Sequence, residues 1–99
     1  MTQKGLSLES VGVNNYAFSK QHALDLLDLL SANGAGVFGG DVYLVENGKP
    51  ELTYDNWCTD PEPEEDDKFF CSRSILESKE YVKKYPNPDA YFTITIHDL

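Results

Sequence analysis

The sequence predicts an α+β fold: a small, mostly antiparallel three-stranded sheet, built from a β-hairpin and a C-terminal strand, packed with two helices. Three observations carry that expectation. Apolar residues recur at helical spacing over residues 23–30, a β-rich run reverses at Asn47-Gly48, and residues 91–96 alternate with a period of two. At 99 residues the chain has room for one core and not for two, so residues 1–99 read as a single domain. Its 40% hydrophobic and 12% aromatic content is that of a folding chain rather than a disordered acidic tail.

Residues 5–18 mix Leu6, Leu8, Val11 and Val13 with turn formers and show no clean period. They read as an ordered lead-in with a helical turn near Leu8. Ser19 suits a helix N-cap, because its hydroxyl accepts a first-turn amide that has no intrahelical partner. Ala23, Leu26, Leu27 and Leu30 then fall at i, i+3, i+4 and i+7, and Leu24 and Leu29 widen the apolar face. This predicts a helix to about Ser31 that packs on a sheet, ended by Asn33-Gly34, which tolerate left-handed φ. Val37, Phe38, Val42, Tyr43, Leu44 and Val45 favour a pleated strand, interrupted at Gly39-Gly40 by a bulge or a close backbone approach. Asn47-Gly48 predicts a tight hairpin turn, with Leu52, Thr53 and Tyr54 on the returning strand.

Residues 59–68 hold two prolines, six acids and one lysine, a formal charge of −5 out of the chain's −9. They read as a loop whose like charges resist helix and strand alike. Beyond it, Ile75, Ser78, Val82 and Tyr85 sit at helical spacing and predict a second helix over residues 73–85. Ser74 and Glu77 fit a capping box at its start, Lys83 and Lys84 suit its C-terminal end, and Pro86 and Pro88 stop it. The final strand places Phe92, Ile94 and Ile96 on one face and is expected at the centre of the sheet.

Seventeen acids against eight bases set the function classes. Such a surface repels phosphate backbones and anionic bilayers, so neither a nucleic acid nor a membrane is expected as a partner. A basic protein is favoured instead, and complementary charge chiefly speeds encounter. No run approaches the roughly 18 apolar residues of a membrane span, and the first residues do not resemble a signal peptide, so a cytoplasmic location is expected. There Cys58 and Cys71 read as free thiols; the alternative is a Cys58–Cys71 disulfide closing the acidic loop.

Catalytic patterns are weak. His22 lies in a first helical turn and His97 near the C-terminus, with nothing in sequence to pair them. Cys58 and Cys71 read either as small, partly buried thiols or as nucleophiles awaiting a histidine. The glycines at 34, 36, 39 and 40 lack the Lys-Ser or Lys-Thr of a phosphate-binding loop, and Asp41 opposes an anion. The acids from Asp55 to Asp67 lack EF-hand spacing; a cation-binding, calcium-responsive module is the alternative reading. No cofactor, metal or catalytic residue is expected, and the chain reads as a non-enzyme, monomeric or homodimeric. Trp57 reads as a core or rim residue, or as an interface anchor.

Four segments in order resemble the bacterial immunity protein 40 family: residues 11–17 (Val-Gly-Val-Asn-Asn-Tyr-Ala), 39–43 (Gly-Gly-Asp-Val-Tyr), 54–57 (Tyr-Asp-Asn-Trp), and Ser74 with Tyr81-Val82 and Tyr85. The resemblance covers roughly residues 6–96. It implies a cytoplasmic protein of a polymorphic toxin system that binds and neutralises a cognate toxin, and it supplies no catalytic residues. The acidic run stands outside the resembling segments, so its role is argued physically. Nuclease toxins have basic substrate grooves. The expected toxin-facing residues are therefore Asp60, Glu62, Glu64, Glu65, Asp66 and Asp67, with nearby Asp55 and Trp57; Asp41 and Tyr43 are secondary, on the premise that their strand exposes one face.

Overall fold

The computed structural model describes residues 6–7 and 16–97. Within them the element order is β1 (Leu6–Ser7), β2 (Tyr16–Ser19), α1 (Lys20–Ala32), β3 (Gly36–Glu46), β4 (Lys49–Cys58), α2 (Asp67–Lys84), β5 (Tyr91–Phe92) and β6 (Thr95–His97). The fold is α+β with two helices, as the sequence predicts, but the antiparallel sheet is larger than three strands. Among the described residues six strands pair in the order β1-β2-β5-β3-β4, with β6 also on β3. The expected turn near Leu8 lies outside the described residues.

β3 organises the sheet. One edge pairs with β4, and the other pairs first with β6 and then with β5. The C-terminal strand is thus split at Thr93 and Ile94. Opposite that split, a side chain on Gly40 would bring its Cβ to 1.9 Å from the Thr93 carbonyl oxygen. The Thr93 hydroxyl accepts the Asp41 N–H at 2.8 Å, and the Thr93 N–H donates to the Asp41 carbonyl at 2.9 Å. The break changes the alternation expected for the C-terminal strand: Phe92 and Ile94 are buried, whereas Ile96 is 45% exposed.

The hairpin turn forms where Asn47-Gly48 predicts it, with φ of 50° and 76° at the two central residues and Glu46 paired with Lys49. Further along, the register slips by two residues, so that Thr53, Tyr54 and Asp55 of β4 stand opposite Val42 alone. The Thr53 hydroxyl fixes this bulge by donating to the Val42 carbonyl at 2.9 Å and accepting the Asp55 N–H at 3.0 Å.

Both helices cover one face of the sheet. Ser19 caps α1, its hydroxyl accepting the His22 N–H, and α1 buries Ala23, Leu26 and Leu27; Leu29, expected on that face, is 42% exposed. α2 starts at Asp67, six residues before the predicted start. Asp66 is the N-cap, its carboxylate accepting the Phe69 N–H at 2.9 Å, and Asp67 lies in the first turn. Carboxylates at that end satisfy free amides and complement the helix dipole, which outweighs the repulsion that predicts a loop. Ser74 is accordingly no cap. It is fully buried, and its hydroxyl accepts the Val37 N–H at 2.9 Å and donates to the Cys71 carbonyl.

The core joins Ala23, Leu26 and Leu27 of α1 with Ile75 and Val82 of α2 and Val37, Val42, Trp57 and Phe92 of the sheet. Trp57 fills its centre, stacked on Tyr81 at 4.8 Å, with its indole N–H donating to the Ser78 hydroxyl at 2.9 Å. Tyr43, next to Val42, points to the opposite face. There it is buried with Ala17 and Tyr91. Neither cysteine is bonded; Cys58 is exposed and Cys71 buried.

Candidate acidic docking surface

The acidic segment leaves the sheet at Thr59, which is 2% exposed; its N–H donates to the Phe38 carbonyl and its hydroxyl to the Val37 carbonyl. From this fixed start the chain is gathered by Arg73, a turn and a half into α2. The guanidinium Nε donates to Glu65 Oε2 at 2.7 Å and Nη2 to Glu65 Oε1 at 2.8 Å, a two-pronged contact that matches carboxylate geometry. Nη2 also holds the Asp60 carbonyl at 2.8 Å, and Nη1 reaches Glu77 at 3.2 Å. One side chain therefore ties both ends of the segment to the helix.

Glu65 is turned inward, with only 5% of its side chain exposed, and its Oε1 also accepts the Glu62 N–H at 2.9 Å. The Arg73 hydrogen bonds and, next, the Glu62 amide hold its carboxyl down to about 2. Between these contacts Glu64 adopts a φ of 67°. Asp67 pairs with His97 Nε2 at 3.1 Å.

The six acids of the segment thus divide. Glu65 and Asp66 are structural, and Asp67 sits in the first helical turn, whereas Asp60, Glu62 and Glu64 project from the segment as exposed side chains. A cleft of about 500 Å³ runs between the segment and α2, lined by Glu62, Glu64, Phe69, Arg73 and Glu77 among others. Glu77 also lines a neighbouring cleft of about 570 Å³ that holds Asp55, Glu80, Tyr81, Lys84 and Tyr85. Asp55 is anchored there by the Tyr85 hydroxyl, which donates to Oδ2 at 2.6 Å and is itself held in its neutral form chiefly by that bond. Asp55 therefore lies towards the C-terminal end of α2, in a cleft that shares only Glu77 with that of the segment, and carboxylates outnumber cations in both clefts.

The other expected residues lie elsewhere. Trp57 is 8% exposed and Tyr43 6%, so both are largely buried, although an edge of Trp57 lines the cleft that holds Asp41. Trp57 is a core residue with its one polar atom satisfied, and the face on which Tyr43 lies is covered at that point. Asp41 is exposed but lines a separate cleft of about 200 Å³ with Phe38, Asn56 and Cys58.

Two residues of this surface escape sequence reasoning. Phe69 and Leu76 lie seven residues apart on the outer face of α2 and are 63% and 66% exposed, while Phe70, Ser74, Ile75, Ser78 and Val82 fill the inner face. They are large apolar groups left uncovered on a face bordered by carboxylates. The signal that finds them is the helix start: once Asp66 is the cap, Phe69 and Leu76 fall outside the buried stripe.

Burial, and to a smaller extent Asp67, pushes the Cys71 thiol up, away from the nucleophilic thiolate. His97 is engaged by Asp67 and packs on Phe38 at 4.8 Å. Among the described residues no group of three or more His, Cys, Asp or Glu side chains could hold a metal ion, and no helix is long and apolar enough to cross a membrane.

Comparison with known proteins places this surface in context. Neither a curated protein nor a solved structure matches the chain. A family model does, that of immunity protein 40, over residues 7–96, which takes in both helices, the hairpin, the acidic segment and nearly all of β6. With a match of that extent, the chain belongs to the immunity protein 40 family.

Proposed function

We propose that this chain is a non-enzymatic immunity protein of the bacterial cytoplasm that binds a cognate protein toxin and neutralises it. The family match over residues 7–96 carries that reading. The contact surface we assign is the outer face of α2 with the acidic segment beside it. Phe69 and Leu76 supply apolar area, Asp60, Glu62 and Glu64 supply negative charge beside Phe69, and Asp55 and Glu77 add charge from the neighbouring cleft. Interfaces commonly combine such desolvated anchors with a charged rim that selects the partner and speeds its approach. The toxin then carries a basic surface, as nucleases do where they hold phosphates. Asp41, in its own cleft, is assigned a peripheral role at most.

The test is co-expression with the toxin domain that a tagged copy of this chain captures from its native bacterium. Rescue of growth, together with a complex of the purified proteins, supports the reading; killing unabated by a soluble, folded chain refutes it. The charge component is separable. Replacing Asp60, Glu62 and Glu64 by their amides slows association about tenfold at low ionic strength and flattens its salt dependence. Unchanged association kinetics would remove the segment from the contact surface.

A further inference from the structure

Tyr54 is built against the interest of the fold. It lies in the two-residue bulge of β4 with a φ of 70°, a left-handed conformation that an aromatic L-residue rarely adopts, and it is 81% exposed. Residues around it do the holding. Thr53 clamps the bulge to Val42, Asn56 Nδ2 donates to the Tyr54 carbonyl at 3.2 Å, and Asp55 is tied to the Tyr85 hydroxyl. The ring belongs to neither buried cluster. Glycine or asparagine would occupy the same backbone with less strain. Bulges re-aim side chains, and strain kept under such restraint marks positions where something other than the fold is served.

We propose that Tyr54 is a recognition residue that receives a cationic side chain of the toxin on its ring. The chain's net charge of −9 favours that occupant. Asp55 follows directly and faces the cleft that also holds Glu77 and Glu80, and Glu51 is exposed on the same strand. An arginine or lysine arriving there meets an exposed aromatic face, whose ring quadrupole attracts a cation. The bulge presents the ring without a search over backbone conformations, which lowers the ordering cost of binding. This inference rests on the toxin-binding reading and extends its surface from α2 to the edge of the sheet.

Three purified proteins test it: the wild type, Tyr54→Asn and Tyr54→Phe. Each is titrated against a catalytically inactivated form of the toxin domain captured by the tagged wild type, and each is melted in urea. Tyr54→Asn should keep or raise the folded-to-unfolded ratio, by up to about fivefold as strain is relieved. It should also weaken toxin binding at least tenfold. Tyr54→Phe, which keeps the ring, should bind within about threefold of wild type. Wild-type binding undiminished in Tyr54→Asn would overturn this inference and leave the toxin reading standing; failure of the wild type itself to bind would overturn both. A drop in stability of Tyr54→Asn would mean that the ring serves the fold. Self-association of Tyr54→Asn would mean that it guards the β4 edge. Either result would also refute the proposal.

Discussion

Truncating Phe69 and Leu76 separates binding from folding more cleanly than any other change in this protein. A phenylalanine side chain buries roughly 150–250 Å² when fully covered. With Phe69 63% exposed, a partner has on the order of 120 Å² still to cover, worth about 3 kcal/mol at ~25 cal/mol per Å². Leu76, 66% exposed, leaves a comparable area. Docking realises only part of this, because it also orders side chains and strips water from the neighbouring carboxylates. The expected loss is about 2 kcal/mol for Phe69→Ala or Leu76→Ala, roughly 30-fold in Kd, mostly through faster dissociation. The fold should not suffer, since both side chains lie outside the core and alanine favours helix by a few tenths of a kcal/mol. Urea melts supply the control and surface-based binding kinetics against the inactivated toxin supply the readout. A double variant that melts like the wild type and binds within twofold of it would refute the assignment of α2's outer face.

Two further predictions concern how the acidic segment is held. Asp66→Ala removes the cap from α2 and should destabilise the protein by about 1 kcal/mol, whereas Asp66→Asn, which still accepts the Phe69 amide, should cost a few tenths; equal losses in urea would contradict the capping role. Glu65 sets an acid limb. Its folded carboxyl titrates at about 2, below the ordinary value of 4.5, so its stabilising contribution is complete above pH 4.5 and is lost as pH falls towards 2. Glu65→Gln should therefore be less stable than wild type at pH 7, and the gap should close between pH 4.5 and 2; a gap constant across that range would show that Arg73 does not hold this charge.

Much of the fold was legible because local chemistry and tertiary context agree. Ser19, the leucine stripe and Asn33-Gly34 delimit α1, and Asn47-Gly48 turns the hairpin with both residues at positive φ, as its sequence demands. The glycine pair also met its reading: Gly39 has a φ of 139°, and Gly40 lies against the Thr93 carbonyl. The start of α2 was misread because the acids were counted as a block of like charge. In the structure three of the six have partners of their own: Arg73 for Glu65, the Phe69 amide for Asp66, and His97 for Asp67. The first of these lies eight residues away and the last thirty, beyond any local rule. The extra strands β1 and β2 and the split of the C-terminal strand were hidden by their shortness, since two to four residues carry no measurable period. At the site, Asp55, Asp60, Glu62 and Glu64 lie at the surface as expected. Trp57 and Tyr43 do not, because the partners that bury them, Ser78 and Tyr81 for one and Ala17 and Tyr91 for the other, come from distant elements.

The division of labour within the acidic segment bears on how such a surface can change. Asp60, Glu62 and Glu64 hold exposed charge at alternate positions, while Arg73 grips the backbone at Asp60 and the side chain of Glu65 between and behind them. Substitutions at the displayed positions alter the field seen by a partner without touching the clamp. Substitutions at Glu65, Asp66 or Arg73 alter the clamp itself, and so move every displayed charge at once. The same clamp places the carboxylates next to Phe69 on a rigid helix rather than on a free loop. On the proposed surface the apolar and charged side chains would therefore meet a partner already in register, with the entropy of ordering the segment lost in folding instead of in binding. A loop that looks in composition like a flexible acidic tail is in this structure part of a preformed face, and that is the physical reason to look for its partner among surfaces of matching shape as well as opposite charge.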